Sequence, residues 1–318
     1  MAKRDTDKAT QIYVIPVDGG EALRLTDVPT GADAPKWFPD SRRLAFVSAI
    51  WVDLVKWEDQ LARVKDREES KMTAKVWDRA PIAYWDRYLD DREPHLFSIG
   101  LEGGEPQAIT RLSGHHLSKA DYSADSYDIS VDGEEIVFES DVDTRGIAPN
   151  LDLIQLASCG CKPARNLTAD NPADDTSPAF SPDGRWLAFT SQSIPGFYAD
   201  RRRPQLLDRQ DGRRVDMSGE FDRSVGTLVW RADSAALYSA IDDAATNRIF
   251  RFDLSAPGVP RRITDSSSFD HLSLSSRTRR PVAIALRQSF SEPPTLIRLD
   301  LDSGRATLLA DFNASIRA

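Results

Sequence analysis

Histidines, cysteines and adjacent acids are the side chains that could carry chemistry in this 318-residue chain, and their spacing says what chemistry that would be. The four histidines are His95, His115, His116 and His271. The neighbours His115 and His116 point two imidazoles in different directions on a strand or a turn, so the pair is a poor chelate and reads as a surface loop. Cys159-Gly160-Cys161 lacks the two-residue spacer of thiol oxidoreductases, and no second cysteine pair exists to complete a tetrahedral zinc site. It reads as a hairpin turn with two incidental thiols. Glu68-Glu69, Asp90-Asp91 and Asp174-Asp175 are paired acids, which can hold a substrate ammonium when they converge but diverge into solvent on most helices and turns. A hydrolase elbow needs Gly-x-Ser-x-Gly to strain a serine into a strand-to-helix turn. The only glycines four apart are Gly100 and Gly104, with Glu102 between them. A phosphate-binding loop and a His-Glu-x-x-His zinc helix are also missing, so no metal or cofactor is expected and the chain alone is expected to be non-enzymatic.

The elements that would position any site come from two recurring phrases. The opening phrase is fullest at Phe180-Ser181-Pro182-Asp183-Gly184-Arg185-Trp186-Leu187-Ala188-Phe189, with copies beginning at Trp37, Ile129 and Trp230. Pro182 presets a β-turn, Asp183 can close an Asx-type bond, and Gly184 takes a backbone conformation costly for other residues. The strand that follows is apolar on both faces, as expected of a sheet sandwiched between neighbours. A closing phrase joins two short strands through a Gly-bearing turn and ends in Leu-Thr or Ile-Thr, as at Leu25-Thr26, Ile109-Thr110, Leu167-Thr168 and Ile263-Thr264. Degraded copies lie around Asp211-Gly212 and at Asp302-Ser303-Gly304. The turn aspartates Asp132, Asp183 and Asp233 fall about 50 residues apart, the period of a β-propeller blade, and an eroded turn near Arg277-Thr278 keeps the rhythm.

Six closing phrases predict an all-β propeller of six four-stranded antiparallel blades, or seven if the stretch from Thr110 to Tyr127 holds a partial blade. Residues 1–318 are read as one propeller domain. Trp37, Phe46, Phe138, Phe180, Phe189, Trp230 and Tyr238 occupy equivalent repeat positions and are expected between blades. A surplus at about residues 50–92 interrupts the first blade. Leu54, Trp57, Leu61 and Val64 are spaced for one face of an amphipathic helix, and Tyr84-Trp85-Asp86-Arg87-Tyr88-Leu89 follows. Trp57, Tyr84, Trp85, Arg87 and Tyr88 are the candidate interface, because an insertion on a rigid scaffold is a common seat of function.

Composition narrows the partners. With 50 acidic and 41 basic side chains the formal charge is −9, the wrong sign for a nucleic-acid partner. No apolar run approaches the roughly 18 residues that cross a bilayer, and Met1–Thr10 is charged, without the apolar core of a signal peptide. Neither nucleic acid nor membrane is expected as a partner, and the two cysteines assign no compartment.

The Ser-Pro-Asp-Gly repeat followed by Leu-Ala-Phe, the Gly-bearing closing turns with Leu-Thr, and the Tyr84–Leu89 insertion resemble the N-terminal propeller of prolyl oligopeptidase-family serine peptidases, closest to the acylaminoacyl-peptidase and dipeptidyl-aminopeptidase branch. The resemblance spans essentially the whole chain. It implies an α/β-hydrolase peptidase domain as partner, carrying a Ser-Asp-His triad to which no residue here corresponds, with the propeller screening the peptides that reach it. Dipeptidyl peptidases of this family hold the substrate's amino group with paired glutamates on a propeller helix, and Glu68-Glu69 is the look-alike here. TolB propellers use similar Pro-Asp-Gly blades, so the alternative is a stand-alone protein-interaction module.

Overall fold

The computed structural model describes residues 1–4, 7–77, 80–143, 150–275 and 282–314. Two compact units divide the chain, Met1–Asp174 and Asp175–Ala318. In the first unit β1 (Tyr13–Val14) and β2 (Leu23–Arg24) pair with each other alone. The first blade begins with β3 (Asp33–Trp37) and β4 (Arg43–Ile50); the chain then leaves it through α1 (Trp57–Glu69) and a small hairpin of β5 (Ala83–Tyr84) and β6 (Arg87–Tyr88). It returns as β7 (Glu93–Gly100) and β8 (Gln107–Ala108). The second blade is β9 (Tyr127–Ile129), β10 (Glu135–Asp141), β11 (Leu151–Ala157) and β12 (Arg165–Asn166). The second unit holds three more blades: β13 (Asp175–Phe180), β14 (Trp186–Ser191), β15 (Arg203–Asp208) and β16 (Arg214–Asp216); then β17 (Val229–Trp230), β18 (Ala236–Asp243), β19 (Thr246–Asp253) and β20 (Arg261–Arg262). The last is β21 (Ser268–Leu274), β22 (Val282–Ser289), β23 (Glu292–Asp300) and β24 (Ala306–Ala310).

Among the described residues the fold is therefore an all-β propeller with five four-stranded antiparallel blades, not six or seven. The sixth closing phrase is β1–β2, which among the described residues pairs with no other strand and is joined by a bridge between Ala2 and Gln11. The stretch between Thr110 and Tyr127 contains turns and a short 3-10 segment, Ala124–Ser126, rather than a partial blade. The eroded turn at Arg277-Thr278 lies outside the described residues, in the connection from β21 to β22.

Both phrases have a hydrogen-bond logic. In the opening turn Ser181 donates to the Asp183 carboxylate at 2.5 Å and accepts from the Trp186 amide at 2.8 Å, while Gly184 takes φ +73°. Ser130, Asp132 and Gly133 repeat the arrangement at 2.5 and 2.9 Å. In the closing phrase the threonine hydroxyl accepts an N–H from the first strand of the outer hairpin or, for Thr26, from the residue just before it. Thr26 takes Ile12 at 2.9 Å, Thr110 takes Leu96 at 2.9 Å, Thr168 takes Leu153 at 3.0 Å and Thr264 takes Ile249 at 3.0 Å. These threonines are buried, so each satisfied amide avoids a desolvation cost of about 1 to 3 kcal/mol.

Blades pack through large side chains. Phe46, Phe138, Phe180, Phe189, Trp230 and Tyr238 are buried as expected. Trp37 is not: it is 49 % exposed, and its neighbour Phe38 is buried instead. Phe38 stands where two of the other turns carry Ser130 and Ser181 and the last carries Arg231, packs beneath the Arg43 guanidinium at 4.2 Å and faces Gly133 of the next blade. Aromatic donors link consecutive blades. Tyr127 at the start of the second blade donates to Ala34 in the first, and Trp230 of the fourth donates to Ala179 in the third.

Candidate functional site

The insertion leaves the first blade at the end of β4 and is fastened there by polar contacts. Glu58 and Asp59 in the first turn of α1 favour its N-terminus through the helix dipole. Leu54 lies before the helix, and Trp57, Leu61 and Val64 are only half-buried; the buried helical side chain is Gln60. This corrects the expected apolar seam. Gln60 donates to the carbonyls of Trp51 at 2.8 Å and Leu54 at 2.9 Å and accepts from the Trp51 amide at 3.2 Å, satisfying the backbone where the strand stops. The Trp51 indole donates to Asp91 at 3.0 Å and is faced by the guanidinium groups of Arg63, Arg67 and Arg92. Arg67 and Arg92 also bind Asp91 and Asp90, respectively. Burial pushes the Asp90 carboxyl up, but its hydrogen bonds to Arg92 outweigh that and hold it well below the usual range. Trp57 packs on Phe97 at 5.2 Å, beside a cavity of about 180 Å³ lined by Ile50, Leu54, Trp57, Phe97, Ala108 and Arg111.

Beyond α1 the insertion turns outward. Glu68 and Glu69 form the exposed last turn of the helix. Tyr84 and Arg87 belong to the β5–β6 hairpin, whose two-residue turn lifts Trp85 into solvent at 79 % exposure with a left-handed φ of 52°. Trp85 meets Tyr84 edge-on at 6.2 Å, and Tyr88, 64 % exposed, leans on Trp77 at 5.2 Å. Arg87 donates to the Ala120 carbonyl, which ties the hairpin to the loop before the second blade. The exposed Met72, Val76 and Ile82 belong to the same excursion. Trp57 is thus separated from the other interface candidates: it anchors the insertion, whereas Trp85 and Tyr88 are displayed by it.

A second cluster escaped the sequence reading. His95 on β7 is buried, with Nδ1 3.0 Å from the Thr110 hydroxyl and Nε2 3.5 Å from the Glu93 carboxylate; His116 and Lys119 lie within 4.0 Å of Glu93. Hydroxyl, imidazole and carboxylate follow one another as in nucleophilic catalysis. Thr110 is fully buried and spent on the Leu96 amide, however, so no substrate can reach it and the cluster is structural. His116 is half-buried against Glu93 and donates from Nδ1 to the Leu117 carbonyl, 2.7 Å away, rather than lying on a free loop. The signal is the residue before the closing-phrase amide in two of the copies, where Gln11 touches Thr26 as His95 touches Thr110.

The His95 ring, with the His116 and Lys119 charges, overrides the burial that would raise Glu93 and brings its carboxyl down from the usual 4.5 to about 2. A carboxylate depressed in the fold stabilises it fully above the unfolded value and loses that contribution as pH falls toward 2. Glu93→Gln should therefore flatten the fall of melting temperature between pH 4.5 and 2. Parallel wild-type and variant curves over that window would count against the assignment.

The two cysteines are not free thiols: Cys159 and Cys161 form a disulfide across Gly160. Among the described residues no three His, Cys, Asp or Glu side chains are grouped to hold a metal ion, and no helix is long and apolar enough to cross a membrane.

No family model matches the chain. It is 25 % identical to dipeptidyl-peptidase 5 of Porphyromonas gingivalis, over 98 % of this chain but 51 % of that protein. Acylaminoacyl peptidase of Pyrococcus horikoshii superposes with a TM-score of 0.66 at 16 % identity, over 96 % of this chain and 42 % of that one. TolB of Acinetobacter baumannii superposes with a TM-score of 0.54 at 17 % identity, over 93 % of this chain and 58 % of that one. The chain spans about half the length of the curated relatives it matches, and what it resembles is the β-propeller half of dipeptidyl-peptidase 5 and its acylaminoacyl-peptidase neighbours.

Proposed function

We propose that this chain is the propeller half of a dipeptidyl-peptidase-like serine peptidase, non-catalytic in itself, which docks on an α/β-hydrolase domain and governs which peptides reach it. The observation that carries the reading is the alignment of nearly the whole chain with only half of a dipeptidyl-peptidase. The displayed Trp85 and Tyr88 suit an interface with aromatic anchors and a charged rim, on an insertion whose base is fastened by Gln60 and Trp51. Glu68 and Glu69 are placed to meet a substrate ammonium only if that domain brings the peptide to the end of α1.

The test is to express the chain with and without the α/β-hydrolase half of a dipeptidyl-peptidase 5 relative. The chain alone should neither turn over aminoacyl or N-acyl-aminoacyl chromogenic substrates nor react with a fluorophosphonate probe. It should bind the hydrolase half, and Trp85→Ala with Tyr88→Ala should weaken that binding about thirtyfold. Stoichiometric labelling of one serine in the isolated chain, lost on its replacement by alanine, would overturn the non-catalytic reading. The likeness to TolB favours a second reading, an independent interaction module. A coding sequence continuing into a Gly-x-Ser-x-Gly frame supports the first, and a stop followed by an unrelated gene the second.

A further inference from the structure

We propose that the Cys159–Cys161 disulfide is an exchangeable one, opened and re-formed by a low-molecular-weight thiol, with Cys161 as the sulfur attacked and Cys159 as the leaving thiolate. The bridge lies in the turn between β11 and β12, both cysteines are exposed, and one residue separates them. As a staple it does little, since closing so short a loop removes little freedom from the unfolded chain. The hairpin is already held without it. Ile154 pairs with Asn166 and Gln155 with Arg165, the Ser158 amide donates to Glu134 at 2.8 Å, and the Gly160 amide donates to Ala157 at 2.8 Å. Gly160, at φ +63°, also seats so closely on the first blade that an added Cβ would lie 2.6 Å from the Ile109 carbonyl oxygen. Opening the S–S bond therefore leaves the turn where it is, with two sulfurs facing solvent.

Direction comes from one contact. The Cys161 amide donates to Cys159 Sγ at 3.3 Å, which stabilises negative charge on that sulfur and makes it the better leaving group. An external thiolate attacks Cys161 Sγ, the protein S–S bond breaks, and the electron pair departs on Cys159 as a thiolate. A second thiol resolves the mixed disulfide, releasing Cys161 and forming the external disulfide. Two external thiols are oxidised, the protein disulfide takes up two electrons, and the two cysteines finish carrying the two protons.

The full chain, equilibrated with mixtures of reduced and oxidised glutathione at neutral pH, quenched with acid, alkylated and mapped by mass spectrometry, tests this. The dithiol fraction should follow the glutathione ratio within minutes, early samples should carry glutathione on Cys161, and the reduced chain should melt within about 4 °C of the oxidised one. In single variants, the Cys159 thiol of Cys161→Ser should titrate below the Cys161 thiol of Cys159→Ser. A bridge that persists in millimolar reduced glutathione, or a larger melting shift on reduction, would make it a structural staple and overturn the proposal. Glutathione trapped on Cys159 would overturn the assigned direction.

Discussion

Gly304→Ala is expected to destabilise the second unit by about 3 kcal/mol or more, whereas Gly212→Ala, in the corresponding turn two blades earlier, is expected to cost about 1 kcal/mol. Both glycines are left-handed, at φ +72° and +77°, so both substitutions bear the same backbone penalty. They differ in what a methyl group meets. At Gly212 nothing lies within 4 Å, but at Gly304 the new Cβ would stand 2.1 Å from the carbonyl oxygen of Ile263. That oxygen belongs to a closing phrase whose own amide bonds Ile249 and whose next residue, Thr264, holds the Ile249 amide, so it cannot yield without loosening the fourth blade. The measurement is the shift in urea midpoint at constant m-value for each variant. Equal shifts would show that the close approach does not bear on stability.

The same approach recurs at Gly160 on Ile109, so the outer-hairpin glycine of one blade seats on the isoleucine of the preceding Ile-Thr pair. Sequence displayed both halves of this contact as separate motifs, the Gly-bearing turn and the Ile-Thr ending, but not that they meet. Local chemistry was the legible part: Pro182, Asp183 and Gly184 specify their turn by conformation alone, and the alternating runs specify strands. Closing phrases overstate the number of blades because each specifies only an outer hairpin, as β1–β2 shows. Trp37 is exposed where Phe180 is buried because the next residue, Phe38, is aromatic and takes the buried place in the first blade. What no turn motif shows is that three inner strands carry a bulge with a left-handed residue that is not glycine. Ala34 at φ 48°, Ser177 at 57° and His271 at 53° occupy this place in the first, third and fifth blades. Tertiary packing pays for those conformations, and no residue type announces them.

At the candidate site the break in period falls where the chain between β4 and β7 holds α1 and the β5–β6 hairpin, and the crowded aromatics Trp85 and Tyr88 are exposed. The attachment of this segment is not legible in the sequence. An apolar stripe predicts burial of Leu61 and Val64, yet the strand end at Trp51 presents an N–H and a C=O that need partners, and a glutamine answers both where a leucine answers neither. Gln60 is one of many polar residues in α1, and only the strand end it meets distinguishes it.

Tyr127→Ala is expected to cost about 3 to 5 kcal/mol, and Tyr127→Phe about 1 to 2 kcal/mol. The ring is fully buried in the core shared by the first two blades, so its removal leaves a cavity that two hydrogen-bonded sheets cannot close. The hydroxyl donates to the Ala34 carbonyl at 2.7 Å, with the Ala45 carbonyl at 3.2 Å, and Phe leaves Ala34, at its left-handed bulge, without that donor. Lys36 closes the arrangement from the first blade, its ammonium 2.5 Å from the Tyr127 carbonyl and 3.1 Å from Asp128. Burial, aided by the nearby Asp128 charge, pushes the Tyr127 hydroxyl far above its ordinary 10.0. An acid kept neutral in the fold contributes stability that is whole below the unfolded value and is lost as pH rises past it. Wild-type protein should thus lose stability more steeply than Tyr127→Phe above pH 10, although the variant starts weaker, and the two urea midpoints should converge. Curves that stay parallel through that range would mean that the buried hydroxyl ionises without unfolding, and that the link between the blades does not depend on it as a donor.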